Sequence, residues 1–136
     1  MQSIRVSRGI EIEVNDNGET IVVNVEDQNF TERFYRLMKS LDEISTEMDS
    51  DMVKGADMQA QAKILIERTK DLMEKIDELF GKECCRKVFG DIIPSPVLLA
   101  EFFEQITPIT KAYTEARQKE IEKKYSKNRK GARTGK

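Results

Sequence analysis

Hydrophobic residues recur at every second position near the start of the chain, which is the spacing of a β-strand with one buried face. Residues 10–14 alternate isoleucine or valine with glutamate, and residues 21–25 repeat the apolar alternation after an Asn-Gly pair. A two-residue turn at Asn17-Gly18 predicts three apolar cross-strand pairs: Val14 with Ile21, Ile12 with Val23, and Ile10 with Val25. The pattern therefore predicts a β-hairpin with one wholly apolar face.

The predicted hairpin needs a further partner, because an isolated two-stranded hairpin is at best marginally stable in water. Ile4 and Val6 continue the even-numbered apolar face beyond the partner strand. Either this face docks on the helices that follow, or the strand edge pairs with another chain. If the strand edge pairs with another chain, the protein forms a homo-oligomer through this free edge.

After Asp27 the apolar spacing changes to three and four residues, which indicates helices. Asn29–Glu32 has the pattern of a capping box, and the first predicted helix ends near Ser50. After a break at Gly55, a second helix carries an apolar stripe: Met58, Ala62, Leu65, Thr69, Leu72, Ile76 and Leu79, widened by Ile66, Met73 and Phe80. Such a stripe packs on a neighbouring helix at a shallow angle, so the two helices are predicted to form an antiparallel pair.

Two Phe-Gly pairs, Phe80-Gly81 and Phe89-Gly90, predict a tight corner after the second helix. Glycine after an apolar pair ends a helix by taking the left-handed backbone conformation, and Ser95-Pro96 is a signal for the start of the next helix. A short helix therefore connects two longer ones. Pro108 lies inside the last helix and predicts either a kink or two abutting helices there.

These patterns predict an α+β fold, in which an N-terminal β-hairpin precedes a mainly α-helical body with a helical hairpin, a short corner helix and a long Pro-kinked C-terminal helix. We expect one domain over residues 1–125, with the hairpin at 1–26 and the helical body at 29–118. The net charge is −8 over the first 118 residues, whereas residues 119–136 carry eight Lys or Arg and two Glu. Residues 126–136 contain no apolar side chain larger than alanine, so this segment is predicted to be a disordered basic tail.

The chain offers few groups for catalysis. It contains no histidine, which removes the commonest general base near neutral pH and the commonest metal ligand. Cys84 and Cys85 have only basic residues and a helix start near them, and the helical spacing of Cys84 from Phe80 favours a buried thiol. Three acidic pairs fit solvated helix surface better than general acid-base work: Asp42/Glu43, Asp49/Asp51 and Asp77/Glu78. We therefore predict no catalytic residue, no metal site and no cofactor.

Two features suit binding. Five of the six methionines fall in the predicted helical hairpin and its connection, and flexible thioether side chains suit a surface that accepts varied apolar partners. Gap-filling in an imperfect core explains these methionines equally well. Met48, Met52 and Met58 crowd the break between the helices and are the candidate partner-binding residues. The basic tail could contact phosphates, although it carries no aromatic residue beyond Tyr125, and a solubilising or partner-tethering role is favoured.

The start of the chain and its hydropathy bear on location. No apolar run approaches the roughly 18 residues of a membrane span. The first six residues lack the basic start and the continuous apolar stretch of a signal peptide. The predicted location is the cytoplasm, without a membrane contact.

The order of these features resembles a known family. A short hairpin precedes a charged helical segment that ends in Asp77–Gly81, followed by Val88–Asp91, a Pro-initiated helix with Phe102-Phe103 and Pro108, and a basic tail. Over about residues 8 to 125, this arrangement resembles the small tail assembly chaperones of long-tailed phages and prophages of Gram-positive bacteria.

The resemblance implies a function in protein binding. Members of that family bind the tape measure protein, a long helical chain, and keep it soluble while tail-tube subunits polymerise around it. They are not enzymes and need no cofactor, they act in the host cytoplasm, and they are absent from the mature virion. The tape measure protein is thus the expected partner, with the major tail protein as a second. We expect the phenylalanines of the shared motifs to lie in the core: Phe80, Phe89, Phe102 and Phe103.

Two other functions remain open from the sequence. A small nucleic-acid-associated phage protein could use residues 119–136 as a basic arm, although the acidic body would repel phosphate. A structural tail component, such as a capping or joining protein, is the third interpretation. Stable incorporation into virions would distinguish that component from a chaperone.

Overall fold

The computed structural model describes residues 1–6 and 9–134, with side chains as far as Tyr125. Within these residues an antiparallel hairpin precedes a mainly helical body, so the fold is α+β as the sequence predicts. The elements, in chain order, are β1 Ile10–Glu13, β2 Thr20–Val23, α1 Gln28–Met48, α2 Asp51–Lys54, α3 Met58–Phe80, α4 Cys84–Phe89 and α5 Pro96–Thr134.

The hairpin forms, but its register differs by two residues from the predicted one. Ile12 lies opposite Ile21 rather than opposite Val23, and the neighbouring pairs shift with it. Because side chains alternate between faces with a period of two, a shift of two residues leaves the apolar residues on one face. The prediction of an apolar face is therefore confirmed, whereas the predicted pairs are wrong.

Asn15 explains why the loop is longer than the predicted two-residue turn. Its side-chain oxygen accepts hydrogen bonds from the backbone N–H groups of Asn17 at 2.9 Å and of Glu19 at 3.3 Å. An asparagine that bonds to the backbone two residues later stabilises a turn of its own. The loop consequently has four residues, Asn15 to Gly18, and begins two residues earlier on the first strand, where the Val14 N–H donates to the Glu19 carbonyl at 3.0 Å.

The N-terminal segment, residues 1–6, does not lengthen β1. Ile4 and Val6 form no strand, and they are 92% and 77% exposed, so the prediction that they extend the apolar face is wrong for this chain alone. Gly9 has a φ of +110°, which lies outside the β region and ends the strand. Among the described residues, the hairpin therefore has no third strand beside β1.

The hairpin closes onto the helices of its own chain. The inward-facing isoleucine and valine of β2 are buried in the core. Asn15 donates to the Lys87 carbonyl at 3.1 Å, and Lys87 Nζ donates to the Thr20 carbonyl at 3.1 Å. Arg86 pairs with Glu19 at 2.9 Å. The loop and β2 are thus anchored on α4. The apolar face of the hairpin therefore docks on the helices of its own chain, which is the first of the two alternatives left open by the sequence.

Asp27 sets the start of α1. Its carboxylate accepts the Asn29 N–H at 2.9 Å and caps the helix, so the capping box predicted at Asn29–Glu32 is wrong. Asp27 has an extended backbone and a side chain that reaches the first free N–H groups, which is the arrangement of an N-cap. The helix ends at Met48, close to the predicted end, and the short α2 follows.

All six phenylalanines of the chain belong to one cluster of rings, with centroid distances of 5.4 to 6.1 Å. They come from α1, α3, α4 and α5: Phe30, Phe34, Phe80, Phe89, Phe102 and Phe103. Phe30, at the start of α1, contacts Phe80, at the end of α3, so the predicted antiparallel pair is confirmed. Phe89 is half-buried and the other five rings are buried.

The corner between α3 and α5 has the predicted form. Gly81 and Gly90 have φ values of +114° and +79° and end α3 and α4. Asp77, one turn before the end of α3, accepts the Cys85 N–H at 2.8 Å and supplies the cap that the residue before α4 lacks. Ser95 caps α5 through its hydroxyl, which accepts a first-turn N–H at 3.3 Å.

α5 is a single helix with Pro108 inside it, rather than two abutting helices. Its backbone is helical through most of residues 126–136, the segment predicted to be disordered, as far as Thr134. Lysine, arginine and alanine, which supply five of residues 126–134, favour helix without tertiary contacts and account for this continuation. Residues 135 and 136 lie outside the described part of the chain.

We predict that Phe80→Ala lowers the free energy of unfolding by about 3–5 kcal/mol, because its ring fills the centre of the aromatic cluster. Urea denaturation at equilibrium measures this loss. Tyr35→Ala is the matched control: Tyr35 touches Phe34 but is 61% exposed, so its loss should stay below about 1 kcal/mol. Equal losses would contradict the central role of Phe80.

We also predict that the contribution of Glu19 to stability depends on pH. Hydrogen bonds from Arg86 and then from Asn15 lower the pKa of Glu19 below its ordinary value of 4.5. A lowered pKa in the folded state stabilises the fold above the unfolded-state pKa, and this gain is lost as the pH falls through the folded-state pKa. Wild type should therefore be more stable than Glu19→Gln at pH 7. The difference should shrink below pH 4.5, and urea denaturation that shows the same difference at pH 7 and pH 3 would refute it.

Candidate protein-binding surface

The connection from α1 to α3 is held by local polar contacts around one buried side chain. Val53 of α2 is buried, and its N–H donates to the Ser50 hydroxyl at 3.4 Å. Asp57 caps α3 by accepting a first-turn N–H at 2.8 Å. The Gln61 side chain donates to two carbonyls of the connection, at 2.8 and 3.3 Å. α2 and the first turn of α3 are therefore held in a defined position.

The first turns of α3 extend beyond the end of α1. Glu47, next to the last residue of α1, forms a two-pronged ion pair with Arg68 at 2.9 and 3.1 Å. This pair places the end of α1 beside the middle of α3. Residues 58–67, which make up about 15 Å of helix at 1.5 Å per residue, precede the paired Arg68. Along this stretch Met58, Ala62 and Ile66 are exposed, whereas Leu65 is half-buried against the core.

The structure separates the three predicted partner-binding methionines. Met52 and Met58 are 88% and 86% exposed, on α2 and at the start of α3. Met48 is half-buried and packs against the core. The first two residues are free to contact another molecule, whereas Met48 fits the alternative interpretation of gap-filling in the core.

Ala62 and Ile66 join the exposed methionines, which the sequence did not predict. They follow Met58 at intervals of four residues and therefore share its face of α3. Ala62 is exposed, and Ile66 is 39% exposed. The spacing was visible in the sequence, but it predicted packing on α1, which ends too early to cover these residues. We call Met52, Met58, Ala62 and Ile66 the methionine surface.

Charged residues surround the methionine surface. Asp51, Lys54, Lys63 and Glu67 are all exposed on the same two helices. An apolar centre with a polar rim of both signs is the usual arrangement of a protein-binding surface. Such a surface favours an apolar partner without attracting phosphate in particular.

The cysteines are unsuited to nucleophilic chemistry in the folded chain. Both side chains are buried. Burial, and then the Asp77 carboxylate, raises the pKa of Cys84 to about 12 and the pKa of Cys85 still further. A thiol is reactive as its thiolate, so both groups are held in their unreactive form at neutral pH.

The acidic pairs lie where solvated helix surface or a helix cap explains them. Asp42, Glu43, Asp49 and Asp51 are exposed, and Asp77 is half-buried beneath the start of α4, where it serves as the cap. Among the described residues, no group of three His, Cys, Asp or Glu is arranged to hold a metal ion. In the same part of the chain, none of the helices is both long enough and apolar enough to span a bilayer.

Comparison with known proteins identifies a family for this chain. The profile described as a family of unknown function (DUF6673) matches residues 17–136, and the chain belongs to that family. The match includes β2, all of α1 to α5 and therefore the whole methionine surface. No curated protein and no solved structure matches the chain.

We predict that both cysteines resist modification until the chain unfolds. Native protein at pH 8 should give almost no thiol reaction with Ellman's reagent, because the thiols are buried and protonated. In 6 M guanidinium about two thiols per chain should react within the mixing time. Rapid reaction of either thiol in native protein, with the unfolding rate measured in parallel, would contradict the assignment.

Proposed function

We propose that this member of the DUF6673 family is a non-enzymatic phage tail assembly chaperone. It binds an apolar helical segment of the tape measure protein on the methionine surface and keeps that protein soluble during assembly of the tail tube. Two arguments support the proposal: the family resemblance noted from the sequence, and the exposed apolar overhang of α3. The site of action is the host cytoplasm, and the mature virion lacks the protein.

The exposure of Met52 and Met58 is the observation on which the proposal depends. Single apolar side chains on a surface are ordinary, but Met58 begins an exposed stripe of spacing i, i+4 with Ala62 and Ile66, and Met52 lies exposed on the short helix that precedes it. A client helix can lie along such a stripe with its own apolar face. Methionine side chains adapt to clients of varied shape, because they are unbranched and polarizable.

The polar surroundings are consistent with a reversible holdase. A large, continuous apolar patch would bind the client too firmly or would aggregate, whereas a narrow stripe with a charged rim keeps the free protein dispersed. Each buried methionine side chain contributes about 1.5–3 kcal/mol at most to binding. Weak contacts at several client segments would allow release as tail-tube subunits displace the chaperone.

We predict that Met52→Gln/Met58→Gln reduces the soluble fraction of a coexpressed tape measure protein at least severalfold relative to wild type. The double variant should keep its native stability, because both side chains are exposed in the free protein. Val97→Gln is the matched control, since Val97 is 67% exposed in the first turn of α5, away from the surface. The soluble fraction is measured by centrifugation and gel densitometry.

The outcomes of this experiment separate the function from the site. If wild type itself leaves the tape measure protein insoluble, the chaperone proposal is wrong. If wild type solubilises it and the double variant does so equally well, the methionine surface is not the contact. Removal of residues 119–136 in a third arm, with binding to DNA measured across salt concentrations, tests the alternative of a nucleic-acid-binding arm.

The neighbouring genes provide an independent test. A tail-tube gene upstream and a very long helix-coding frame downstream would support the proposal and would supply the client for coexpression. Replication or regulatory genes on both sides would count against it.

A further inference from the structure

β1 has a free edge. In the described residues it pairs with β2 alone. Antiparallel partners alternate in the direction of their backbone groups, and the bond from Val14 to Glu19 sets this alternation. Glu11 and Glu13 therefore direct their backbone N–H and C=O groups away from β2. A further strand could hydrogen-bond to these groups.

A groove of about 380 Å³ adjoins this free edge. β1 contributes to its lining, β2 does not, and the floor comes from apolar side chains of α4 and α5. The principal apolar lining residues are Ile12, Val14, Val88, Leu98, Phe102 and Ile109. Glu13 and Glu101 also contribute to the lining, so a segment that carries a positive charge beside its apolar side chains suits this edge.

The N-terminal segment, residues 1–6, has the matching chemistry. Ile4 and Val6 are 92% and 77% exposed, and Arg5 lies exposed between them. In an extended segment Ile4 and Val6 share one face and Arg5 points to the other. The segment therefore carries two apolar side chains on one face and a positive charge on the other, while β1 directs Ile12 and Val14 toward the groove and carries exposed glutamates on its outer face.

We propose that two copies of this chain exchange their N-terminal segments, each of which adds an antiparallel strand to β1 of the other copy. With Val6 opposite Ile12, the alternation places Ile4 opposite Val14 and faces both side chains toward the groove. Arg5 then lies directly opposite Glu13 on the outer face. A slip of one residue would place Ile4 and Val6 among the exposed glutamates, so the apolar pattern selects this register.

In its own chain the segment does not take this position, because residues 1–6 form no strand and Ile4 and Val6 stay exposed. A continuous pairing with Val6 opposite Ile12 would leave Gly9 alone to reverse the chain, whereas common hairpin loops need at least two residues. The segment of a second copy approaches from outside and has no connecting loop to close. Exchange in both directions gives a closed twofold dimer in which the same surface is used twice.

The dimer is distinct from the chaperone proposal, because the groove and the methionine surface share no residue. Adding one strand on each side of the twofold axis removes the exposed edges of both β1 strands. It also buries Ile4 and Val6, which are the two most exposed isoleucine, leucine or valine side chains among the described residues. The proposal assigns these residues a partner that the single chain lacks.

Disulfide trapping tests the proposal with the full-length chain. Tagged Arg5→Cys and untagged Glu13→Cys are mixed and oxidised, and the native cysteines do not interfere because they are buried. Directly opposed strand residues lie within disulfide distance, so we expect a tagged-untagged covalent dimer. Tagged Arg5→Cys with Glu32→Cys is the control, because Glu32 is exposed on α1, away from the groove.

Three results would overturn the proposal. The first is a mixed dimer no more abundant than that of the Glu32 control. The second is a wild-type chain that stays monomeric in light scattering at all concentrations, together with an intramolecular disulfide bond in the double variant Arg5→Cys/Glu13→Cys. A further variant, Ile4→Asp/Val6→Asp, should weaken dimerisation at least about tenfold, equivalent to about 1.4 kcal/mol, without altering the helix content. Unchanged dimerisation of this variant would also refute the exchange.

Discussion

Contact among six phenylalanine rings is the interaction on which the rest of the fold depends. Every helix except the four-residue α2 contributes at least one ring. Edge-to-face pairs predominate, and such pairs fix the relative orientation of their helices as well as their distance. The corner from α3 to α5 brings Phe80, Phe89 and Phe102 into contact. Gly81 and Gly90 end α3 and α4 there, and Asp77 caps the start of α4.

The cluster lies at one end of the helical hairpin, and this position shapes the opposite end. α1 packs on the second half of α3, where the rings are, and stops beside Arg68. Leu65 in the first turns of α3 still packs against the core, but Met58, Ala62 and Ile66 there stay exposed in the isolated chain. Their exposure is the structural basis of the binding function that we propose.

The hairpin depends on the same core but leaves one edge free. β2 inserts Ile21 and Val23 among the helices, and α4 anchors the loop through its carbonyl and basic groups. β1 lies on the outer side and lacks a second neighbour in the described residues. One strand therefore attaches the sheet to the body while the other remains available for pairing.

The sequence by itself determined the α+β order of elements, the corner at Gly81 and Gly90, and the start of α5 at Ser95-Pro96. These features follow from local backbone preferences and from the period of apolar residues, both of which can be read within a few positions. It also predicted the exposure of Met52 and Met58, because the break between the helices was visible as Gly55 and Asp57.

Only the tertiary structure decided the hairpin register, the exposure of Ile66 and the burial of Met48. The register depended on Asn15, which bonds to the loop backbone in place of the predicted Asn-Gly turn and also donates to the Lys87 carbonyl, a contact with α4 that no local pattern contains. The exposure of Ile66 depended on where α1 ends relative to α3, a distance between elements that no local pattern contains. The apolar period shows which face of a helix is hydrophobic, but the lengths and positions of its neighbours decide which part of that face is covered.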